Sequence, residues 1–198
     1  MEEPLDHKTL ATLQDKIGHH FGDVQLLYSA LTHTSWVYER RQAPWPHQER
    51  LEFLGDAVLE FVVSLELYRQ RADLPEGKMT RYRQLIVREE SLAEVAQDLG
   101  IGSYLFLGKG EEQTGGRNKS SNLEDTMEAI YAAVYLDAGL EKASEVILTH
   151  LKPLIQRALS GRLIFDYKSR LLEWVQESDK SPDIHFDVVK EEGPAHQR

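Results

Sequence analysis

The sequence predicts a mainly α-helical fold with a short mixed α+β segment at its end. Three observations carry this. Apolar residues recur at helical spacing through most of residues 5–160. Glycines, prolines and capping residues punctuate that pattern at intervals suited to helices. Only near the C-terminus does a period-two alternation appear, in Ile184, Phe186 and Val188.

Residues 5–19 read as a helix with Leu10, Leu13 and Ile17 on one face, and Gly18 and Gly22 bracket the following turn. Asp23 can cap a second helix, VQLLYSALTH, carrying Leu26, Leu27, Ala30 and Leu31. Thr34 to Pro46 holds Pro44 and Pro46 and reads as a loop, with Tyr38, Arg40, Arg41 and Trp45 in it. A long helix follows from Gln48 to Arg71, and Arg69 and Arg71 suit the negative end of its dipole. ADLPEGK is a turn. The fourth helix, Lys78 to Arg88, carries Lys78, Arg81, Arg83 and Arg88. The fifth, EESLAEVAQDLG, opens with acids and stops at Gly100. SYLFLG is short and apolar.

Residues 108–119, GKGEEQTGGRNK, form a Gly-rich loop. A Walker phosphate loop needs GK[ST] after four spacers, and GGR stands there instead, so no nucleotide cofactor is expected. The loop is either a mobile surface feature or one whose Arg117 and Lys119 touch backbone phosphates. Ser120 to Ala138 is a further helix with Leu123, Met127, Ile130 and Val134 on one side, and Ala143 to Leu159 closes the helical part. Residues 161–165 read as a linker. DYKSRLLEWVQ, 166–176, begins a fresh amphipathic helix, and DIHFDVVK reads as a strand. One strand has no partner, so residues 166–198 look like the opening of an incomplete second domain.

Composition bounds the function. The chain has 198 residues, 41% of them hydrophobic, enough for a real core. It has no cysteine, which removes disulfides and thiolate zinc sites and suits a reducing cytoplasm. MEEPLDHKTL is not a signal peptide, and no run of about 18 apolar residues spans a membrane. The net charge of −10 argues at first against nucleic acid, but metal-binding acids would inflate it.

Two acidic constellations stand out. Glu49, Glu52 and Asp56 lie at i, i+3 and i+7, within about 60° of one another on a helix. Leu51, Leu54, Val58, Phe61, Val62 and Leu65 line the opposite side, and Phe53, Ala57 and Leu59 flank the acids. Such a helix is apolar nearly all round and is expected to be buried, so its acids need a counter-charge. Gly55 inside it costs about 1 kcal/mol against Ala, which close approach by another backbone or a ligand would offset. Asp125 and Glu128, spaced i, i+3, form the second set on an equally apolar helix. If the sets meet, four carboxylates make a hard-cation site for magnesium, with manganese as a substitute. Two such cations supply what phosphodiester hydrolysis needs. No HExxH and no Ser-His-Asp spacing competes.

HQERLEFLGDAVLE resembles the signature of the ribonuclease III family of double-stranded-RNA endonucleases. The likeness extends through ALTHTS, LPEGKMTR and NLEDTMEAIYAAVYLDAG. DYKSRLLEWVQ and FDVVKEEGPAH resemble the start of the double-stranded-RNA-binding domain that follows the nuclease in bacterial members. The resemblance implies an all-helical endonuclease domain over residues 5–160 and a partial α+β RNA-binding domain over 166–198. It implies that Glu52, Asp125 and Glu128 hold magnesium, that Asp56 and Glu128 are catalytic, and that Glu49 and Glu76 line an RNA-facing valley. It further implies a homodimer that leaves 5′-phosphates and short 3′ overhangs, processing rRNA, mRNA and tRNA precursors. Lys78, Arg81, Arg117 and Lys119 are the candidate RNA contacts, reading A-form shape through phosphates and 2′-hydroxyls. Two other readings remain: a dimeric RNA-binding scaffold without useful catalysis, and an acidic helical interaction module.

Overall fold

The computed structural model describes residues 5–40, 43–70 and 72–163. The expected helix at 166–176, the strand through Ile184, and residues 164–165, Arg41 and Arg71 lie outside them. Every long element is a helix. Asp6 caps α1 (His7–Ile17) by accepting from the amides of Lys8 and Thr9 at 3.0 and 2.9 Å. α2 (Val24–Ala30) is capped by Asp23, as its sequence predicts. α4 (Glu49–Gln70), α5 (Glu76–Val87) and α6 (Glu89–Leu99) follow the predicted spans closely. α8 (Ser120–Leu159) ends the described chain.

The Thr34–Pro46 segment departs from its predicted loop. It opens with a short helix, α3 (Thr34–Tyr38), whose N-cap is His33 rather than a usual capping residue. His33 Nδ1 accepts from the Ser35 amide at 3.2 Å. The Gly-rich stretch is also more ordered than a mobile loop. It contains α7 (Lys109–Gln113) and a single 3₁₀ turn, Gly116–Asn118.

α4 and α8 form the central pair, with α6 packed against α8 and α5 against α4. The core is built from Leu51, Leu59, Val62 and Val63 of α4 and Leu123, Met127, Ile130 and Val134 of α8. The compensation expected for Gly55 is backbone proximity. A Cβ there would stand 1.9 Å from the Glu128 carbonyl oxygen. Only hydrogen fits, and this is what draws the two acid-bearing helices together.

α8 is two arms. Gly139 has φ 81° and ψ 178°, a conformation open essentially to glycine alone. On a straight helix Tyr131 and His150 would be about 28 Å apart. Here the Tyr131 hydroxyl lies 3.3 Å from His150 Nδ1, so the chain folds back at Gly139. Asp137, just before the reversal, accepts from the amides of Gly22 and Asp23 at 3.0 and 2.8 Å and pairs with His19 at 2.7 Å. Burial opposes its charge, but the Asp23 and Gly22 amides and His19 outweigh it and hold the carboxyl below its usual range.

The expectation that α4 is buried nearly all round is corrected. Phe53, Phe61 and Tyr68 are 82%, 51% and 70% exposed. They fall within about 80° of one another, on the side α4 turns away from α8. Phe61 therefore belongs to an outer strip, not to the core stripe.

Candidate active site

The acids of α4 and α8 stand close enough to act on one another's charge. The row Gln48, Glu52, Gly55, Leu59 has the i, i+4, i+7, i+11 spacing of one helix side, and Gly55 is pressed against Glu128. That contact carries Glu52 and Asp56 to the neighbourhood of Asp125 and Glu128. Glu128 is 8% exposed. Burial, then the charges of Asp56, Glu124, Glu52 and Asp125, push its carboxyl from 4.5 up to about 8. Burial also raises Glu52, helped by Asp125, Glu49 and Asp56. Asp125 is raised by burial and by Glu89 and Glu49, against the opposing pull of His33 and Lys119. Mutual repulsion of carboxylates in a half-buried place marks a candidate cation site.

The donor set suits a hard divalent cation, since every candidate ligand is a carboxylate oxygen. As the side chains stand, no three among the described residues converge closely enough to grip one ion.

The other expected residues are spread more widely. Glu49 stands in the first turn of α4, its carboxylate 3.7 Å from His47 Nδ1. Glu76 accepts from Thr80 Oγ1 at 2.8 Å and lines the groove between α4 and α5 with Phe61, Tyr68 and Met79. On α5, Lys78 is exposed and Arg81 half-buried. Lys119 lies 3.7 Å from Glu111 beside the pocket. Arg117 has a task within the protein. Its guanidinium donates to Glu112 at 2.7 Å and to the carbonyls of Gly102 and Leu105 at 3.0 Å, pinning the Gly-rich segment.

Sequence reasoning missed Glu124. Burial, then Glu89, Asp125, Glu52 and Glu90, push it up to about 7. Its signal was its place four residues before Glu128, one helical turn away. Glu89 and Glu90 open α6, and no spacing within one helix could have linked them to this pocket.

A family model described as ribonuclease-III-like matches residues 23–154. The chain is similar to a ribonuclease 3 of Pelotomaculum thermopropionicum, 47% identical over 198 residues, covering 100% of this chain and 81% of that protein. It is 48% identical over 189 residues to a ribonuclease 3 of Caldanaerobacter subterraneus, covering 96% and 82%. A crystal structure of the nuclease domain of the Campylobacter jejuni ribonuclease III superposes with a TM-score of 0.67 at 37% identity, covering 74% of this chain and 95% of that one. A second structure of that domain, equally similar by TM-score, is described for flexibility in a region involved in dimer formation.

Proposed function

The chain belongs to the ribonuclease III family of endoribonucleases, and from that premise we propose that its acidic pocket hydrolyses double-stranded RNA with a divalent cation, magnesium in the cell. The observation that carries this reading is the contact of Gly55 with the Glu128 carbonyl, which brings acids of two helices together around a buried carboxyl. Glu52, Asp125 and Glu128 would hold the cation. A cation there supplies an activated water and charge relief on the phosphate and leaving oxygens.

The chain's own groups do the rest. Burial, and then the charge of Asp56, make the Glu128 carboxyl readier than a free one to hold a proton. Asp56 and Glu128 are therefore the pair best placed to exchange a proton with the attacking water. Glu49 and Glu76 would border the RNA path, and Lys78, Arg81 and Lys119 would meet its phosphates. Arg117 would serve RNA indirectly, by shaping the Gly-rich segment. The products would be 5′-phosphates with short 3′ overhangs, from rRNA, mRNA and tRNA precursors in the cytoplasm.

A second copy of the chain would complete the assembly. Phe53, Phe61 and Tyr68 form an apolar strip that water does not favour, and a partner copy would cover it. Among the described residues no helix is long and apolar enough to cross a membrane.

The test is cleavage of a long RNA duplex with and without magnesium, read on a gel. Glu128→Gln and Asp125→Asn should abolish cutting while the protein stays folded. Cutting at the wild-type rate by either variant would reject the assignment. Binding of the duplex by the wild type without cleavage would favour the scaffold reading.

A further inference from the structure

A buried chain of uncharged polar groups runs beside the acidic pocket. Trp45 Nε1 donates to Thr32 Oγ1 at 2.8 Å, and Thr32 Oγ1 donates to the Tyr28 carbonyl at 2.6 Å. The Gln48 amide donates to the Thr32 carbonyl at 2.9 Å. The Gln48 side chain then meets Thr126 Oγ1 at 3.1 Å, and Thr126 Oγ1 lies 2.6 Å from the Asn122 carbonyl. Asn122 Nδ2 donates onward to the Gly116 carbonyl at 3.0 Å and to Glu111 at 2.8 Å. Gln48 is 2% exposed and Thr126 fully buried.

A hydroxyl has one proton. Thr126 Oγ1 is the donor, its single proton shared between the Asn122 carbonyl at 2.6 Å and Gln48 Oε1 at 3.1 Å. Each member of the chain then has its partner, as a buried network requires.

The position of this bond gives it a role. Gln48 lies one turn before Glu52, and Thr126 lies directly after Asp125 and two residues before Glu128. The Gly55 contact and the packed apolar stripes press α4 against α8, but neither is a directional bond. The Gln48–Thr126 bond is a directional fastening at the head of α4, about 10 Å back from Gly55. Together they fix the roll of α4 on α8, and with it the directions in which the four carboxylates face each other.

We propose that Gln48 and Thr126 are positioning residues for cleavage, whose hydrogen bond sets the orientation of the two acid-bearing helices. This rests on the reading of the pocket as the nuclease centre. Outer groups of this kind typically change activity and metal affinity by about 10–100-fold when removed.

The test uses the full chain. Thr126→Val keeps the shape and removes the hydroxyl, Gln48→Leu removes the amide, and Thr126→Ser restores the hydroxyl. Cleavage rates are measured across RNA and MgCl2 concentrations. Manganese chloride binding is followed separately by electron paramagnetic resonance in the absence of RNA, and folding by circular dichroism at the assay temperature. We expect Thr126→Val to lose kcat by about 10–100-fold with the KM for RNA unchanged, and manganese binding to weaken alongside. Thr126→Ser should recover both. The double variant Gln48→Leu/Thr126→Val should be no worse than either single one, because both break one bond. If Thr126→Val fails to fold, Gln48→Asn, which keeps the amide but shortens its reach, carries the same expectation. Wild-type kcat and manganese affinity in a folded Thr126→Val, beside an inactive Glu128→Gln, overturn the proposal and leave the nuclease centre standing. An active Glu128→Gln overturns both.

Discussion

Glu128→Gln has a second use, as a probe of folding stability. In protein freed of metal, the Glu128 carboxyl stands at about 8 rather than 4.5, through burial first and then Asp56, Glu124, Glu52 and Asp125. A carboxyl raised in the folded state favours folding most when protonated. Its contribution is complete below pH 4.5 and is lost as pH rises through about 8. Each pH unit is worth about 1.4 kcal/mol, which sets a ceiling of about 4 kcal/mol at pH 8. Water entry and side-chain rotation relieve part of this, leaving a cost on the order of 2 kcal/mol. Glutamine has the same shape and no proton to lose. In EDTA at pH 8 the variant should therefore melt higher, by about 4–8 °C for a domain of this size. At pH 5 the two proteins should nearly coincide. Saturating magnesium should reverse the order at pH 8, since only the wild type gains a bound ion. Melting curves by circular dichroism at pH 5, 6.5 and 8 decide the matter. A glutamine variant no more stable than wild type at pH 8 in EDTA, or equally advantaged at pH 5, would refute the reasoning.

Gly55→Ala should be far more damaging than an ordinary helix substitution. Its Cβ would face the Glu128 carbonyl at 1.9 Å, and neither backbone can rotate away. A loss of about 3 kcal/mol in urea unfolding, with loss of cleavage, is expected. Gly139→Ala should cost about 1–3 kcal/mol by denaturant titration, with cleavage retained below the melting temperature, because it strains the reversal and leaves the pocket alone. Phe53→Asp should leave the chain monomeric in sedimentation velocity at micromolar concentration, where the dimer proposed above would otherwise form. Because that ring is 82% exposed in the single chain, the helical content by circular dichroism should be kept, and a fall in melting temperature should reflect only the lost pairing.

The acids were legible because helical periodicity is a local property. Glu49, Glu52 and Asp56 share a face by arithmetic alone, and Gly55 among them announced a close approach before its partner was known. Legibility failed wherever the partner lay on another element. Glu89 reaches the pocket from α6, and Gln48 meets Thr126 across 78 residues of chain. Arg117 reads from sequence either as part of a surface loop or as a phosphate contact, because nothing in its spacing reveals the carbonyls of Gly102 and Leu105. The helix α3 was hidden for a different reason. Its cap is an imidazole, and prolines further along pointed to a loop. The outward turn of Phe53 and Phe61 was also invisible, since a sequence shows that a side is apolar but not what covers it.

Phe53 has a place in this geometry that extends beyond assembly. It lies four residues after Glu49 and three before Asp56, so it stands on the rim of the acid row. Anything seated on that ring also shields one flank of Glu52 and Asp56 from solvent and strengthens every charge interaction behind it. Subunit pairing and cation uptake would then be thermodynamically linked through a single benzyl group, each tightening the other without any change in backbone shape.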